Sequence, residues 1–265
     1  HYRILRLKDK LGTRSMASGE IRLEGAFAWL VGERGQGFKH MADMINNSRL
    51  SNGVRAAGLM RRALTEALYI SKHRQAFGKR LIDMPLMQRQ LSKMALATEQ
   101  ARTMVYQTAQ ALAAADNDPS KRPLMRIMTP LIKFRACRDA RKVAGDAMEV
   151  RGGCGYIEEW SDPRVLRDAH LGSIWEGTSN IVALDVIRAI QREESLPALR
   201  EHVHALLSEG TPVSQELAAL QAERVNQAFT YASEVANQNR SEQARQAATG
   251  LYHVATMAAM RWEAK

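Results

Sequence analysis

What most constrains this chain is a change of apolar period. Near Phe38 an alternating pattern gives way to one recurring every three or four residues. Before that point, Ile4-Leu5-Arg6-Leu7 and Glu20-Ile21-Arg22-Leu23-Glu24 read as short strands, separated by Gly12 and the Ser18-Gly19 turn. Gly32, Gly35 and Gly37 end the alternation. From about 38 to 74, Val54, Leu59, Ala63, Leu64, Ala67 and Leu68 predict one apolar stripe of a long helix. After a loop at Phe77-Gly78-Lys79, Pro85 suits the first turn of a second helix. That helix carries Leu91, Met94, Ala95, Thr98, Ala101, Val105 and Thr108 and stops near Asp116-Asn117-Asp118-Pro119. A third runs from about Pro123 through Ile127, Leu131, Phe134 and Ala144 to Val150, where Gly152-Gly153-Cys154-Gly155 ends it. An irregular stretch follows. Thr178-Ser179-Asn180 then offers N-caps for a helix over 181–190. Residues 196–265 read as two or three further helices, punctuated by Pro197, Gly210-Thr211-Pro212 and Gly250. The fold class expected is mainly α, an up-down helical bundle.

Composition narrows the function. A chain of 265 residues that is 45% hydrophobic can bury a real core, and 17 Gly with 7 Pro exclude a collagenous or low-complexity chain. No apolar run approaches the roughly 18 residues that span a bilayer, and no basic-then-apolar leader opens the chain, so a cytoplasmic or otherwise intracellular protein is expected. Cys137 and Cys154 cannot build a disulfide scaffold or a Cys-rich zinc site. The opening at His1, in the middle of a strand pattern, reads as a piece of a longer chain. The net charge of +10 is unevenly spread: residues 191–265 carry 7 Lys+Arg against 9 Glu, a net of −2, so the first 190 residues net +12. A basic body favours an anionic partner such as a phosphate cofactor, a nucleotide thioester or nucleic acid. The acidic tail is no electrostatic arm for DNA.

Familiar catalytic motifs are absent: there is no P-loop, no HExxH and no Cys pair at metal spacing. His202 and His204, two apart on a helix, point to different sides. Gly32-x-x-Gly35-x-Gly37 lacks a βαβ unit and reads as a turn. Three segments are more informative. Arg74-Gln75-Ala76-Phe77-Gly78-Lys79 is a helix end bearing cations, an aromatic and a glycine. Glu149-Val150-Arg151-Gly152-Gly153-Cys154-Gly155-Tyr156 exposes backbone to which a flat ligand can come close. Ile174-Trp175-Glu176-Gly177-Thr178-Ser179-Asn180 sets a carboxylate just before a helix, whose N-terminal N–H groups suit a phosphate. Singly, the three read as a C-cap, a turn and an N-cap.

Together and in this order they resemble the C-terminal half of the acyl-CoA dehydrogenase family of flavoproteins. Leu11-Gly12-Thr13-Arg14 and Leu166-Arg167-Asp168-Ala169 fall in the same sequence order. The resemblance implies the end of a middle β-domain over 1–34, a four-helix bundle over 35–190, and an additional C-terminal helical region over 191–265. It implies FAD as cofactor and an acyl-CoA as substrate. Glu176 would be the base that removes the α-proton while hydride leaves the β-carbon for the flavin, and desolvating a carboxylate strengthens it for that task. Arg74 and Phe77 match residues that reach the flavin of a neighbouring subunit, with Arg74 suited to the pyrophosphate. Gly152 and Gly153 match a close backbone approach to the cofactor, and Thr178 a flavin phosphate contact. Arg49 matches an arginine near the CoA portion, with a helix-surface cation as its alternative. Pro85, Glu149 and Asn180 stand where common members have glutamine at flavin contacts, and Trp175 replaces a tyrosine and would narrow the acyl pocket. These departures, with the tail, look like the branch induced in the adaptive response to DNA alkylation, whose members dehydrogenate acyl-CoA poorly and associate with DNA through a basic C-terminal region. The family further implies a homotetramer, a dimer of dimers built on the bundle, and an electron-transfer partner. The tail charge does not favour DNA.

Overall fold

The computed structural model describes residues 1–264, apart from the side chain of Asp43. Two strands, β1 (Tyr2–Leu7) and β2 (Gly19–Leu23), pair as an antiparallel hairpin. Helix α1 (Gly37–His73) follows, then a two-residue ladder of β3 (Gln75–Ala76) and β4 (Lys79–Arg80), and helix α2 (Pro85–Asn117). Helix α3 (Arg122–Arg151) ends in a short 3-10 turn over Gly152–Tyr156. Then come α4 (Asp162–Leu171), α5 (Ser179–Arg192), α6 (Ser195–Glu209), α7 (Gln215–Asn237) and α8 (Ala244–Glu263).

Helix α3 is the axis of the molecule, packed by α1, α2, α4, α5, α6 and α8. It buries residues on nearly every side, among them Ile127, Leu131, Ile132, Phe134, Ala136 and Ala140, as a helix surrounded by others must. Pro123 lies in its first turn, where a missing N–H costs nothing. Gly152 ends it at φ +73°, a conformation open to glycine. Pro85 likewise opens α2.

The predicted bundle is present, with five differences. The stripe of α1 runs through Asn52, Ala56, Met60, Ala63, Leu64, Ala67 and Ser71, whereas Val54 is 49% exposed. Val54 lies off that face and lines an outer groove with Arg61, Glu99 and Tyr106. Phe77-Gly78 is the tip of a tight hairpin and not a loose loop. The stretch expected to be irregular after Tyr156 contains α4, whose ten residues are too short to show a period. Pro197 sits in the first turn of α6 and Gly250 inside α8 against Ala228, so neither breaks a helix. The break between α7 and α8 lies at 238–243 instead. Lastly, Thr178 occupies the N-cap position of α5 but makes no side-chain cap bond.

The tail is no appendage. Leu199, Val203, Phe229, Leu251 and Tyr252 belong to the same buried cluster as Met60, Met104 and Leu131. Among the described residues, no helix is long and apolar enough to cross a membrane.

The hairpin of β1 and β2 meets the bundle through backbone. Thr13 N–H donates to Asp168 Oδ1, and Gly12 lies so close to Arg167 that a Cβ there would sit 2.7 Å from its carbonyl group. The two tetrapeptides singled out in the sequence are thus one joint.

Candidate functional site

The first two candidate segments come together where α1 and α3 end. Arg74 caps α1 in an extended conformation and reaches back, its Nη1 donating to the Arg151 carbonyl at 2.8 Å. Its guanidinium lies against Gly152, where a Cβ would approach Nη1 to 2.9 Å. Gly153 has open space beside it, and Glu149, one turn earlier, is exposed. Arg151 anchors the corner: it is buried, ion-paired with Glu66 and Asp162, and its guanidinium lies 4.7 Å over the Trp160 ring. Above it, Phe77 (φ +53°) and Gly78 (φ +75°) form the hairpin tip. Two positive φ values suit the twist of a two-residue hairpin, yet an aromatic side chain rarely adopts one. Phe77 is 98% exposed there, so packing among the described residues does not repay its conformation.

The third segment lies between α4 and α5. Glu176 (φ +53°) and Gly177 (φ +102°) are consecutive left-handed residues. Glu176 is half-buried, beside Trp175, whose ring lies 5.3 Å from the Arg55 guanidinium. Arg55 also donates to the Asp168 carbonyl at 3.0 Å, linking this loop to the hairpin joint. The Thr178 carbonyl accepts the Val182 N–H at 3.0 Å, and Thr178 and Asn180, at the start of α5, are exposed. Beneath the loop, Lys133 of α3 donates to the Gly177 carbonyl. Burial pushes the Lys133 ammonium down to about 8, and Arg49 adds to the effect, while Cys137 and Glu176 oppose it.

Arg49 is placed otherwise than expected. It is neither a helix-surface cation nor open to a ligand: it is 8% exposed and its guanidinium is paired with Asp185 of α5. Arg126 also grips Asp185 through two bonds of 2.7 and 2.9 Å. Burial alone would raise the Asp185 carboxyl, but the Arg126 and Arg49 guanidinium groups hold it below the ordinary carboxylate range. The reason is register: α5 turns Asp185 inward to meet α1 and α3. Pro85, aside from opening α2, meets no candidate residue in any contact described above. Among the described residues no cluster of three His, Cys, Asp or Glu could hold a metal ion.

Sequence reasoning missed Lys133, Arg55, Arg126 and Asp185. Lys133 had a visible signal, a lone charge inside the apolar run from Ile127 to Phe134. The others had none, since their meaning comes from helix packing.

The segments do not all converge within one chain. Lys133, under Glu176, and Arg151, beside Arg74, are 18 residues apart on α3, about 27 Å of helix rise. One corner presents an arginine, an aromatic and bare glycine backbone; the other presents a carboxylate at a helix start.

Residues 35–191 match the family model described as "Acyl-CoA dehydrogenase, C-terminal domain". The chain is 38% identical over 207 residues to AidB of Escherichia coli (strain K12), covering 78% of this chain and 37% of that protein. It is 34% identical over 208 residues to acyl-CoA dehydrogenase family member 11 of Caenorhabditis elegans, covering 77% and 34%. The crystal structure of the Caenorhabditis elegans protein ACDH-11 in complex with C11-CoA superposes with a TM-score of 0.90 at 30% identity, over 99% of this chain and 46% of that one. The chain therefore spans about a third of the length of these curated relatives.

Proposed function

The chain belongs to the acyl-CoA dehydrogenase family, and from that premise we propose that it is the C-terminal part of an FAD-dependent oxidoreductase that desaturates an acyl-CoA thioester between its α and β carbons, with Glu176 as base. The observation that carries this reading is the Glu176–Gly177 pair, held left-handed at the start of α5 and backed by Lys133.

The residues present fit the cofactor. Bare Gly152 and Gly153, the Arg74 guanidinium with one nitrogen committed to the Arg151 carbonyl, and the outstretched Phe77 make a cationic, flat-faced corner suited to an isoalloxazine and its pyrophosphate. Thr178 and the N–H groups opening α5 suit a phosphate of a second copy of the cofactor. Because the two corners are far apart, each would serve a different flavin, one of them bound mainly by a neighbouring subunit. This supports the homodimer pairing within a dimer of dimers. FAD, when bound, supplies the acceptor for the hydride leaving the β-carbon. Glu176 takes the α-proton onto its carboxylate, and the electron pair of that C–H bond becomes the new C=C bond. Trp175, fixed over Arg55, bounds the acyl side of the base. Glu149 presents an anion to the flavin corner, which weakens binding there unless a cation from the partner subunit meets it. Asn180, exposed in the first turn of α5, would donate to the cofactor.

A second reading has one specific observation in its favour. Arg135, Arg138, Asp139, Arg141, Lys142 and His170 line a shallow hollow on the bundle, with Arg135 paired to Asp139, so a net basic surface exists although the tail is acidic. A DNA-associated flavoprotein with weak dehydrogenase activity would use it, and its binding would weaken steeply with salt as counterions return to the phosphates.

The test is titration of the longest form of the protein with FAD, followed by flavin fluorescence and visible absorption, then anaerobic addition of short acyl-CoAs. Saturable binding and bleaching support the dehydrogenase. Binding without bleaching, together with salt-sensitive DNA association, supports the second reading.

A further inference from the structure

Resting on the reading that Glu176 is the base, we propose that Lys133 is its positioning residue: the buried ammonium clamps the Gly177 carbonyl and holds the Glu176–Gly177 loop in its catalytic conformation.

The loop needs such a clamp. Two consecutive positive φ values are uphill for an L-residue followed by glycine, and a strained pair persists only where its surroundings over-determine it. Above the loop, Ile181 and Val182 fill the space where a Gly177 side chain would go, so sterics allow glycine but do not aim its carbonyl. Below it, the bond from Lys133 does aim it. That bond fixes the peptide joining Gly177 to Thr178, and through it the direction in which Glu176 leaves the backbone.

The lysine is otherwise out of place. Its residue is 1% exposed among Leu131, Ile132 and Phe134, and an ammonium leaves water only where strong partners replace it. The charged and titratable groups acting on it are few: Arg49 from α1, Cys137 one turn on along α3, and Glu176 from the loop. Arg49 is committed to Asp185. Burial pushes the Cys137 thiol up to about 11, so it is neutral at physiological pH. The Gly177 carbonyl is therefore the partner that Lys133 serves, with Glu176 a weaker electrostatic influence on it. The ammonium ties down the backbone of the loop that carries the base. Since burial brings Lys133 to about 8, its charge is withdrawn in mildly alkaline solution.

The experiment compares Lys133→Met and Lys133→Arg with the parent in the full-length, FAD-loaded protein. Amide hydrogen exchange over residues 174–178 is measured without substrate, and flavin bleaching by a short acyl-CoA is measured from pH 6 to 10. The expected result for Lys133→Met is exchange faster by roughly tenfold or more and a bleaching rate lower by roughly 10- to 100-fold, with KM little changed. The fall in rate above pH 8 seen in the parent is lost. Lys133→Arg, charged throughout, restores protection and also lacks that fall. Parent-like exchange in Lys133→Met, or a fall near pH 8 persisting in Lys133→Arg, overturns the proposal, and the arginine variant decides alone if the methionine variant does not fold. If the parent itself is not bleached, the assignment of Glu176 as base fails, and the exchange data still decide whether Lys133 is the clamp.

Discussion

The backbone N–H of Thr13 and the carboxylate of Asp168, 155 residues apart in sequence, meet at 2.6 Å. This bond, with Gly12 pressed on Arg167, is what joins the β1–β2 hairpin to the helices. Gly12→Ala puts a methyl group 2.7 Å from the backbone carbonyl of Arg167, and backbone cannot rotate away as a side chain can. Overpacking of this kind costs about 1–3 kcal/mol. The expected outcome is a lower midpoint in urea and faster proteolysis of residues 1–34, with the bundle intact by circular dichroism.

Glu176→Gln removes the proposed base and keeps its shape. The expected protein binds FAD as the parent does and is not bleached by acyl-CoA. Bleaching at the parent's rate would reject Glu176 as the base.

The Asp185 carboxylate holds two buried arginines, Arg49 and Arg126. Asp185→Ala strands the buried Arg49 charge and leaves Arg126 only its Glu193 partner, and breaking a buried pair costs about 3–5 kcal/mol. Thermal unfolding should show a marked drop in Tm, far larger than for Asp83→Ala, whose partner Arg80 is in water.

Two histidines of the tail helices are held neutral. Burial lowers His202, whose Nε2 has no partner among the described residues, and burial, with Arg135, lowers His253. Both folded-state values lie below the unfolded 6.5, so the unfolded chain binds more protons in acid. Their stability contribution is complete above pH 6.5 and is lost as pH falls through that value and beyond. The acid slope of unfolding free energy between pH 6.5 and 5 should be shallower in His202→Leu than in the parent.

The two thiols should differ in kind. Cys137 is buried and raised to about 11, whereas Cys154 is exposed. In native protein a disulfide reagent at pH 8 should titrate one thiol quickly, and Cys154→Ser should abolish that fast phase. Both thiols should react in denaturant.

Much of this architecture was readable because long helices advertise their period. The boundaries of α1, α2 and α3 follow from stripes and punctuation that chain chemistry alone imposes. Helix α4 was not readable, since ten residues complete fewer than three turns and its burial is set by α1 and α3. Gly250 misled because a glycine that breaks an isolated helix also lets two helices approach closely, and the choice lies with α7. At the site, the segments carrying Arg74, Phe77 and Glu176 were visible as a helix end and a helix start, and the roles proposed for them come from the resemblance of the whole pattern. Arg49 did not show that its charge is spent on Asp185, because that depends on which face α5 turns to the core. Lys133 was the reverse case, a charge in an apolar run whose partner is a backbone carbonyl and so leaves no trace in side-chain spacing.

The long rod of α3, with Arg151 near one corner and Lys133 near the other, has a genetic consequence. Under the proposed cross-subunit use of the corners, an Arg74→Ala chain retains a sound base, and a Glu176→Gln chain retains a sound arginine. Each homomer is defective at every site, but a mixed pair reconstitutes one complete site from its two undamaged corners. Co-expression of the two alleles should restore about a quarter of parental sites if chains pair at random, a case of intragenic complementation between two nulls.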